Sequence, residues 1–164
     1  MITVKPAKKR DISAIKKLAE IIWPSTFSFI LTTNQIQYML NWMYSDESLT
    51  RQMEDGCVFF LAYMDDQPIG FASWQKVSDK EGKLHKLYVL PEMQGKKAGS
   101  TLLQTVIHYS VDQKILVLIL NVNRFNRKAI DFYLRTGFSI VKEEDIDIGG
   151  GYYMNDYVMQ KQLQ

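Results

Sequence analysis

Cysteine, net charge and long apolar runs are all scarce in this sequence, and each shortage excludes a class of protein. Cys57 is the single cysteine among 164 residues, so no intrachain disulfide can form, and its apolar surroundings (CVFFLAY) predict a buried side chain. A net charge of +2 gives no reason to expect nucleic-acid binding. No apolar stretch approaches the roughly 18 residues of a membrane span, and the start MITVKPAKKR lacks the apolar segment of a signal peptide. We therefore expect a reduced, cytoplasmic protein that binds neither nucleic acid nor membrane.

Length and composition predict a single domain over residues 1–164. A chain of 164 residues, 46% of them hydrophobic and 23% charged, can bury a sizeable core but is short for two domains. Internal repeats, linkers and low-complexity tracts are absent from the sequence. We leave open whether the protein is a monomer or a homodimer.

Hydrophobic spacing and turn residues predict the order of helices and strands. The predicted strands span residues 2–7, 57–64, 68–77, 83–90, 114–122, 138–148 and 152–161. The predicted helices span residues 10–23, 32–45, 46–55, 98–111 and 126–137. We expect Asp11 to cap the first helix and Pro24 to end it. The strand at 114–122 is apolar enough to be covered on both faces. This order predicts a mixed α/β fold, antiparallel in its front half and with crossover helices after residue 97.

The segment PEMQGKKAGSTLLQTV, residues 91–106, places a basic, glycine-containing turn between a strand and a helix. The first turn of a helix has unpaired N–H groups and the positive end of the helix dipole, which together bind anions. Gly95 and Gly99 allow a ligand close to the backbone, and Lys96 and Lys97 add positive charge. We interpret the turn as a phosphate or pyrophosphate site, the alternative being an ordinary turn with solvated lysines. Its spacing matches neither a P-loop nor the dinucleotide-binding fingerprint.

A second motif follows this turn and, with it, resembles a known family. The pattern N-x-x-A-x-x-F-Y-x-x-x-G-F is formed by Asn126, Ala129, Phe132, Tyr133, Gly137 and Phe138. Together with LYVLPEMQGKKAGSTLL it resembles the GNAT superfamily of acyl-CoA-dependent N-acetyltransferases over residues 83–140. The resemblance implies an α/β fold with a central mixed sheet of about seven strands flanked by helices. It also implies acetyl-CoA as the cofactor and a primary amine of a small molecule (polyamine, amino acid or similar) or a peptide as the acceptor, without a metal.

The resemblance implies a set of cofactor-binding residues. The pantetheine arm is expected beside Leu87, Tyr88 and Val89, and the family's asparagine that contacts the cofactor corresponds to Asn126. The pyrophosphate is expected at the turn formed by Gln94, Gly95, Lys96, Lys97, Ala98, Gly99 and Ser100. Lys97 stands where the family usually has glycine, and a positive φ at this position would cost on the order of 1 kcal/mol.

Two side chains are candidates for the proton transfers. Tyr133 corresponds to the family's general acid, and a phenol of pKa about 10 can protonate a thiolate whose thiol has a pKa of about 8.5. His85 is the candidate base, because imidazole titrates near neutrality. Strand alternation places His85 on the same face as Leu87 and Val89. A buried structural histidine is an equally good interpretation of His85.

The acceptor is the least determined part of the sequence. Trp23, Phe27, Phe29 and Trp74 are candidates for lining its pocket, although most aromatic residues in this region should pack in the core. The acidic run at 143–147 would attract a polyamine, but a solvated strand face is the preferred interpretation. Two other functions stay open: a catalytically silent acyl-CoA-binding sensor with the same fold, and an unrelated anion-binding α/β protein.

Overall fold

The computed structural model describes residues 1–163, which form one seven-stranded sheet and five α-helices. The strands are β1 (Ile2–Pro6), β2 (Val58–Met64), β3 (Gln67–Lys76), β4 (Glu81–Val89), β5 (Val117–Asn123), β6 (Ser139–Gly149) and β7 (Tyr152–Gln162). The helices are α1 (Ile12–Phe27), α2 (Thr33–Tyr44), α3 (Asp46–Glu54), α4 (Ala98–Asp112) and α5 (Arg127–Arg135). Within these residues, no helix is both long enough and apolar enough to span a membrane.

The strand order is β1-β2-β3-β4-β5-β7-β6, and every neighbouring pair is antiparallel except β4 and β5. These two strands are parallel because α4 carries the chain from one to the other. The predicted mixed α/β fold, with an antiparallel front half and a crossover after residue 97, is confirmed.

Two apolar cores lie on opposite faces of the sheet. The face that we call the α1 face packs against α1, α2 and α3, and its largest fully buried side chains include Trp23, Tyr44 and Phe71. The other face, the α4 face, packs against α4 and α5 through residues such as Leu102 and Tyr133. Because successive side chains of a strand point to opposite faces, the register of each strand decides which core a residue joins.

The first helix continues past Pro24, where we predicted that it would end. Proline inside a helix costs roughly 3 kcal/mol, partly through the lost N–H bond. The last turn is nevertheless closed by a bond from the Ser28 N–H to the Pro24 carbonyl, 3.1 Å. Trp23 and Phe27 are both buried on this turn with ring centroids 4.5 Å apart, and burying each is worth roughly 1.5–3 kcal/mol. Their burial offsets the cost, and α1 ends at Phe27.

The N-terminus of α1 differs from the prediction. Asp11 stands at the N-cap position, but its carboxylate accepts from the Lys8 N–H, 2.8 Å, rather than from the helix.

The burial of β5 also differs from the prediction that both of its faces are covered. Alternate residues of β5 are buried on the α4 face, whereas Val117 and Ile119 on the other face are only partly covered. The helices of the α1 face pack mainly over the β2–β4 part of the sheet. The strand is therefore central but not fully enclosed.

An extra residue in β4 changes the face to which its side chains point. Trp74 of β3 pairs with Leu84, but the preceding Ser73 pairs with Lys86, so His85 is the additional residue of a β-bulge. After the bulge, Leu87 and Val89 pack in the core of the α4 face. His85 precedes this change of parity and points to the α1 face. The prediction that His85, Leu87 and Val89 share one face was wrong, because it assumed unbroken alternation.

The parallel strands β4 and β5 separate beyond the bulge. Their pairing runs from Glu81 and Val117 to Leu84 and Leu120 and then stops, although β4 continues to Val89. The backbone of residues 85–89 consequently faces β5 without a ladder. Unpaired backbone groups at a sheet edge are sites at which an extended ligand can add hydrogen bonds.

The contact between Gly82 and the Trp74 indole provides a test of the packing on the α4 face. A Cβ at Gly82 would lie 2.5 Å from Trp74 Nε1, and the indole cannot retreat because it is 3% exposed and packs edge-on against Tyr109. We expect Gly82→Ala to lower the free energy of unfolding by about 1–3 kcal/mol. At about 2–4 °C per kcal/mol for a chain of this size, calorimetry should detect a clear fall in Tm.

The matched control combines Gly82→Ala with Trp74→Phe. The smaller ring makes room for the new methyl group, so the double variant should lose less stability than the sum of the two single losses. Additive losses would show that the destabilisation does not come from this clash.

Candidate active site

The turn before α4 presents a row of free backbone N–H groups. In the part of the chain that the structure describes, the N–H groups of residues 95–100 donate to no protein acceptor. The first such bond at this end of α4 runs from the Thr101 N–H to the Lys97 carbonyl, 3.0 Å. Gly95 and Lys97 have positive φ angles, 79° and 70°, which turn successive N–H groups toward a common concavity. The turn is therefore a preformed anion site at the positive end of a 15-residue helix.

Lys97 adopts the strained, positive-φ conformation that its place in the turn would require. Its φ of 70° and ψ of 9° lie in the left-handed region, which costs a residue with a Cβ roughly 1–2 kcal/mol. The lysine carbonyl accepts from both the N–H and the hydroxyl of Thr101, at 3.0 and 2.7 Å, and these bonds hold the conformation. The side chain itself is exposed beside the free N–H groups.

The other predicted residues of the turn divide between support and surface. Ala98 is 1% exposed and attaches the turn to the core of the α4 face. A Cβ at Gly99 would point at Phe132, 3.8 Å away, and at Val89, 4.0 Å away, so this glycine faces the gap beside β4. The exposed residues of the turn are Gln94, Gly95, Lys96, Lys97 and Ser100. The structure thus brings all of the predicted turn residues to one end of the separated strands.

The predicted pantetheine-binding residues lie on the open part of β4. Leu87 and Val89 pack in the core of the α4 face and fix the strand, whereas Tyr88 packs against Trp23 and Phe27 on the α1 face. Burial, followed by the charge of Asp156, raises the pKa of Tyr88 above its ordinary value. The backbone of this stretch is left free on its β5 side.

Tyr133 reaches the same region from α5. It is 7% exposed and held between Phe132 and Phe138, with ring centroids 5.3 and 5.4 Å away. Burial, followed by the neighbouring Tyr88, raises its pKa, so the phenol keeps its proton at neutral pH. Asn126 caps α5 by accepting from the Ala129 N–H at 3.3 Å, a bond that uses its oxygen and leaves the amide NH₂ group for a ligand.

His85 lies on the α1 face in a cationic setting. Its Nε2 is 2.9 Å from Gln75 Oε1, and burial, followed by the charges of Lys86 and Lys83, lowers its pKa to about 4. The imidazole is therefore neutral at physiological pH and weakly basic. Lys86 also lies on the α1 face, where its Nζ is 2.7 Å from Gln52 Oε1. Burial lowers its pKa to about 8.

The four aromatic residues predicted to line an acceptor pocket occupy different places. Trp23 and Phe27 are buried in contact with Tyr88, with ring centroids 5.8 and 6.4 Å from it, and form a wall beside the open stretch of β4. Phe29 is 99% exposed after the end of α1. Trp74 belongs to the core of the α4 face and does not reach the α1 face, so it lies away from the wall that Trp23 and Phe27 form.

The opposite wall of the same face comes from α2 and the β6–β7 hairpin. The Tyr38 hydroxyl donates to the Ile148 carbonyl, 2.7 Å, and Gln35 Nε2 donates to the Tyr153 carbonyl, 2.8 Å. Tyr38 passes against Gly149 and Gly150, where a Cβ would lie 2.6 and 3.0 Å from its side-chain atoms. These contacts fasten α2 across the sheet to the hairpin.

Sequence reasoning missed a polar cluster on this face. Asp156 is 5% exposed on β7, opposite Glu144 of β6, and the Asn121 amide of β5 donates to both carboxylates, at 3.3 and 3.2 Å. The acidic run at 143–147 was recognised, but Asp156 lies in a different strand. The available signal was the acidic residue in YYMNDYVMQK, a segment that otherwise predicts a core strand.

Comparison with known sequences gives a consistent result. Residues 15–138 match the sequence model of the acetyltransferase (GNAT) family. A spermidine N(1)-acetyltransferase of Thermoplasma acidophilum is 28% identical over 168 residues, covering 99% of this chain and 98% of the relative. An uncharacterized N-acetyltransferase of Mycobacterium tuberculosis is 34% identical over 99 residues, which are 60% of this chain and 63% of the relative's length.

Solved structures with the same fold lead to the same family. The PaiA N-acetyltransferase from Thermoplasma acidophilum, solved in complex with coenzyme A, superimposes with a TM-score of 0.84 and 27% identity over 99% of both chains. A GCN5-related N-acetyltransferase from Rhodopseudomonas palustris superimposes with a TM-score of 0.83 over 98% of this chain and 94% of its own, and at 16% identity it supports the fold alone.

Replacing Lys97 should separate its strain from its charge. Glycine adopts positive φ without steric cost, so we expect Lys97→Gly to raise the free energy of unfolding by up to about 1 kcal/mol. Lys97→Ala keeps the strain and should leave this free energy nearly unchanged. Both variants remove the ammonium group and should weaken coenzyme A binding at low salt by a similar factor. Thermal unfolding and titration calorimetry at two salt concentrations measure the two effects.

Two results would contradict this account of Lys97. A glycine variant less stable than the wild type would show that the left-handed conformation carries no strain. Wild-type affinity and salt dependence in the alanine variant would show that the lysine does not interact with the phosphate groups.

Proposed function

Because this chain belongs to the acetyltransferase (GNAT) family, we propose that it is an N-acetyltransferase that uses acetyl-CoA to acetylate a primary amine. The observation that carries the proposal is the position of the free N–H groups of residues 95–100 at the end of the open stretch of β4. A pyrophosphate on these N–H groups and an extended arm along residues 87–89 would occupy adjoining sites. The donors present therefore fit coenzyme A, which binds the related Thermoplasma acidophilum enzyme.

Acetyl-CoA, when bound, supplies an acetyl group already activated as a thioester. The chain's own residues bind and orient it: the turn holds the phosphates, the open edge of β4 aligns the arm, and Asn126 offers its amide. The Tyr133 hydroxyl holds a proton through the neutral pH range because burial raises its pKa. In this proposal it gives that proton to the leaving sulfur.

We propose a polyamine as the first acceptor to test. Two observations support this class: similarity to a spermidine N(1)-acetyltransferase over nearly the whole of both chains, and the carboxylates of Glu144 and Asp156 on the α1 face. Trp23 and Phe27 are buried behind Tyr88, whose partly exposed ring is the apolar surface that the methylene segments of such an amine can contact. Amino acids and peptide N-termini are the other acceptors to compare with it.

The experiment that tests the proposed function combines binding with turnover. Acetyl-CoA and coenzyme A should each raise Tm, and ATP should do so less, because it lacks the pantetheine arm. Release of free thiol should then be followed with spermidine, spermine, amino acids, aminoglycosides and peptides. Acetyl-CoA binding without turnover of any amine would favour the silent sensor, and no stabilisation by acetyl-CoA would exclude both functions.

Tyr133→Phe tests the proposed proton donor. The substitution keeps the packed ring and removes only the hydroxyl, so coenzyme A affinity should be unchanged. We expect kcat to fall by roughly 10- to 10⁴-fold, the range of general acid–base contributions. Single-turnover measurements should confirm that the chemical step is the one that has slowed.

Tyr109→Phe is the matched control, because Tyr109 packs in the same core beside Phe60 and Trp74, away from the open stretch of β4. It should leave kcat unchanged. Full kcat in the Tyr133 variant, with chemistry limiting the rate, would mean that the proton comes from elsewhere.

A further inference from the structure

Asp156 is a buried carboxylate with one oxygen that lacks a hydrogen-bond donor. The residue is 5% exposed, and its Oδ1 is sealed from solvent without a partner among residues 1–163. Its Oδ2 accepts one long bond, 3.3 Å, from Asn121 Nδ2. Buried polar atoms nearly always have partners, and an exception in a folded protein indicates strain, chemistry or a missing ligand. A carboxylate oxygen of this kind needs a donor.

The side chains around Asp156 on the α1 face give this site a net negative charge. Glu144 pairs with it across the β6–β7 ladder, and the Asn121 amide joins the two carboxylates. The cations nearby are Lys83 on β4 and Arg124 after β5, and Arg124 is paired with Asp145 at 2.8 Å. Within the described chain, no cation lies within ion-pair distance of the Asp156 carboxylate.

The charge of Asp156 reaches the proposed reaction site. It is one of the two causes that raise the pKa of Tyr88, the residue between the open edge of β4 and the wall formed by Trp23 and Phe27. Burial, assisted by the charge of Glu144, raises the pKa of Asp156 itself, while the Asn121 bond, Lys83 and Arg124 act in the opposite direction. The carboxylate is therefore a stronger base than an exposed aspartate.

The chemistry of the missing donor follows from this arrangement. A primary ammonium group has three N–H donors and a positive charge, whereas the Asn121 amide that now joins the carboxylates is neutral. An ammonium group that displaces this weakly held amide would bond to both carboxylates and supply Oδ1 with its donor. His85 offers no comparable site, because Lys83 and Lys86 surround it with positive charge.

We propose, on the basis of the proposed function, that Asp156 and Glu144 bind the ammonium group of the acceptor and that Asp156 Oδ1 takes its proton. An amine must lose this proton before its nitrogen can attack a thioester. Displacement of the Asn121 amide by the acceptor also opens Oδ1 to water, and Asp156 passes the proton to this water. The nitrogen lone pair then forms the C–N bond, the C–S bond breaks, and a second proton from nitrogen replaces the one that Tyr133 gives to sulfur. The products are an amide, a thiol and one released proton.

Asp156→Asn is the variant that tests the proposal, with spermidine as the probe. Asparagine keeps the shape and can still accept from Asn121, but it has neither the charge nor the basicity. We expect kcat/KM for spermidine to fall by about 100-fold or more, with coenzyme A affinity unchanged. Glu144→Gln should raise KM with a smaller effect on kcat. Glu143→Gln, an exposed residue whose partner Tyr157 packs on the α4 face, is the control that should resemble the wild type.

Two measurements do not depend on turnover. Titration calorimetry of spermidine into the complex with coenzyme A should show weaker binding for Asp156→Asn and unchanged binding for Glu143→Gln. Thermal unfolding should show that Asp156→Asn is more stable than the wild type at neutral pH. A raised folded-state pKa means that the buried charge destabilises the fold above that pKa, so this gain should vanish as the pH falls through it.

The outcomes separate this inference from the proposed function. If the wild type acetylates no amine, the proposed function fails. The spermidine titration still shows whether Asp156 and Glu144 bind an ammonium group. Turnover and spermidine binding by Asp156→Asn that stay within about threefold of the wild type would overturn the inference. Asp156 would be a structural residue if Asp156→Asn lost stability at neutral pH and if its kcat/KM for trifluoroethylamine, an acceptor of low basicity, fell at acidic pH as it does in the wild type.

Discussion

The separation of β4 and β5 is the constraint on which the rest of the structure depends. A parallel pair in the middle of a sheet would normally stay hydrogen-bonded along its length, because buried backbone groups require partners. Here the ladder ends at Leu84 and Leu120, and the bulge at His85 adds a residue and a local twist where the strands part. The unpaired backbone groups of β4 therefore indicate a ligand that supplies the missing hydrogen bonds.

The same separation divides the proposed site between the two faces of the sheet. The anion turn and Tyr133 belong to the α4 face, whereas the aromatic wall and the Asp156–Glu144 pair belong to the α1 face. The open stretch of β4 is the place where groups from both faces come together. In the proposed function, the acyl donor and the amine approach from opposite sides, so each can be recognised by its own set of residues.

The sequence predicts the fold and the anion turn well, because both depend on local patterns. The helical spacing of α4, Gly137 with its positive φ of 98° after α5, and each of the two motifs are recognisable from short stretches of sequence. What the sequence does not predict depends on register and tertiary contact. A single bulge moved Leu87 and Val89 to the face opposite His85, and the burial of Trp23 and Phe27 carried α1 past Pro24. Asp156 could not be recognised from the sequence, because its contacts with Asn121 and Glu144 join three different strands.

The bonds between α2 and the β6–β7 hairpin have a consequence for how this protein can diversify. Tyr38 and Gln35 both donate to main-chain carbonyls, at Ile148 and Tyr153. A carbonyl is present whatever side chain its residue carries, so substitutions along the hairpin can alter this wall of the α1 face without releasing α2. The backbone path at Gly149 and Gly150 is the part that must be preserved, because Tyr38 occupies the space of their missing side chains. In the proposed function, selection for a new amine can thus act on the hairpin while the residues that bind acetyl-CoA stay unchanged.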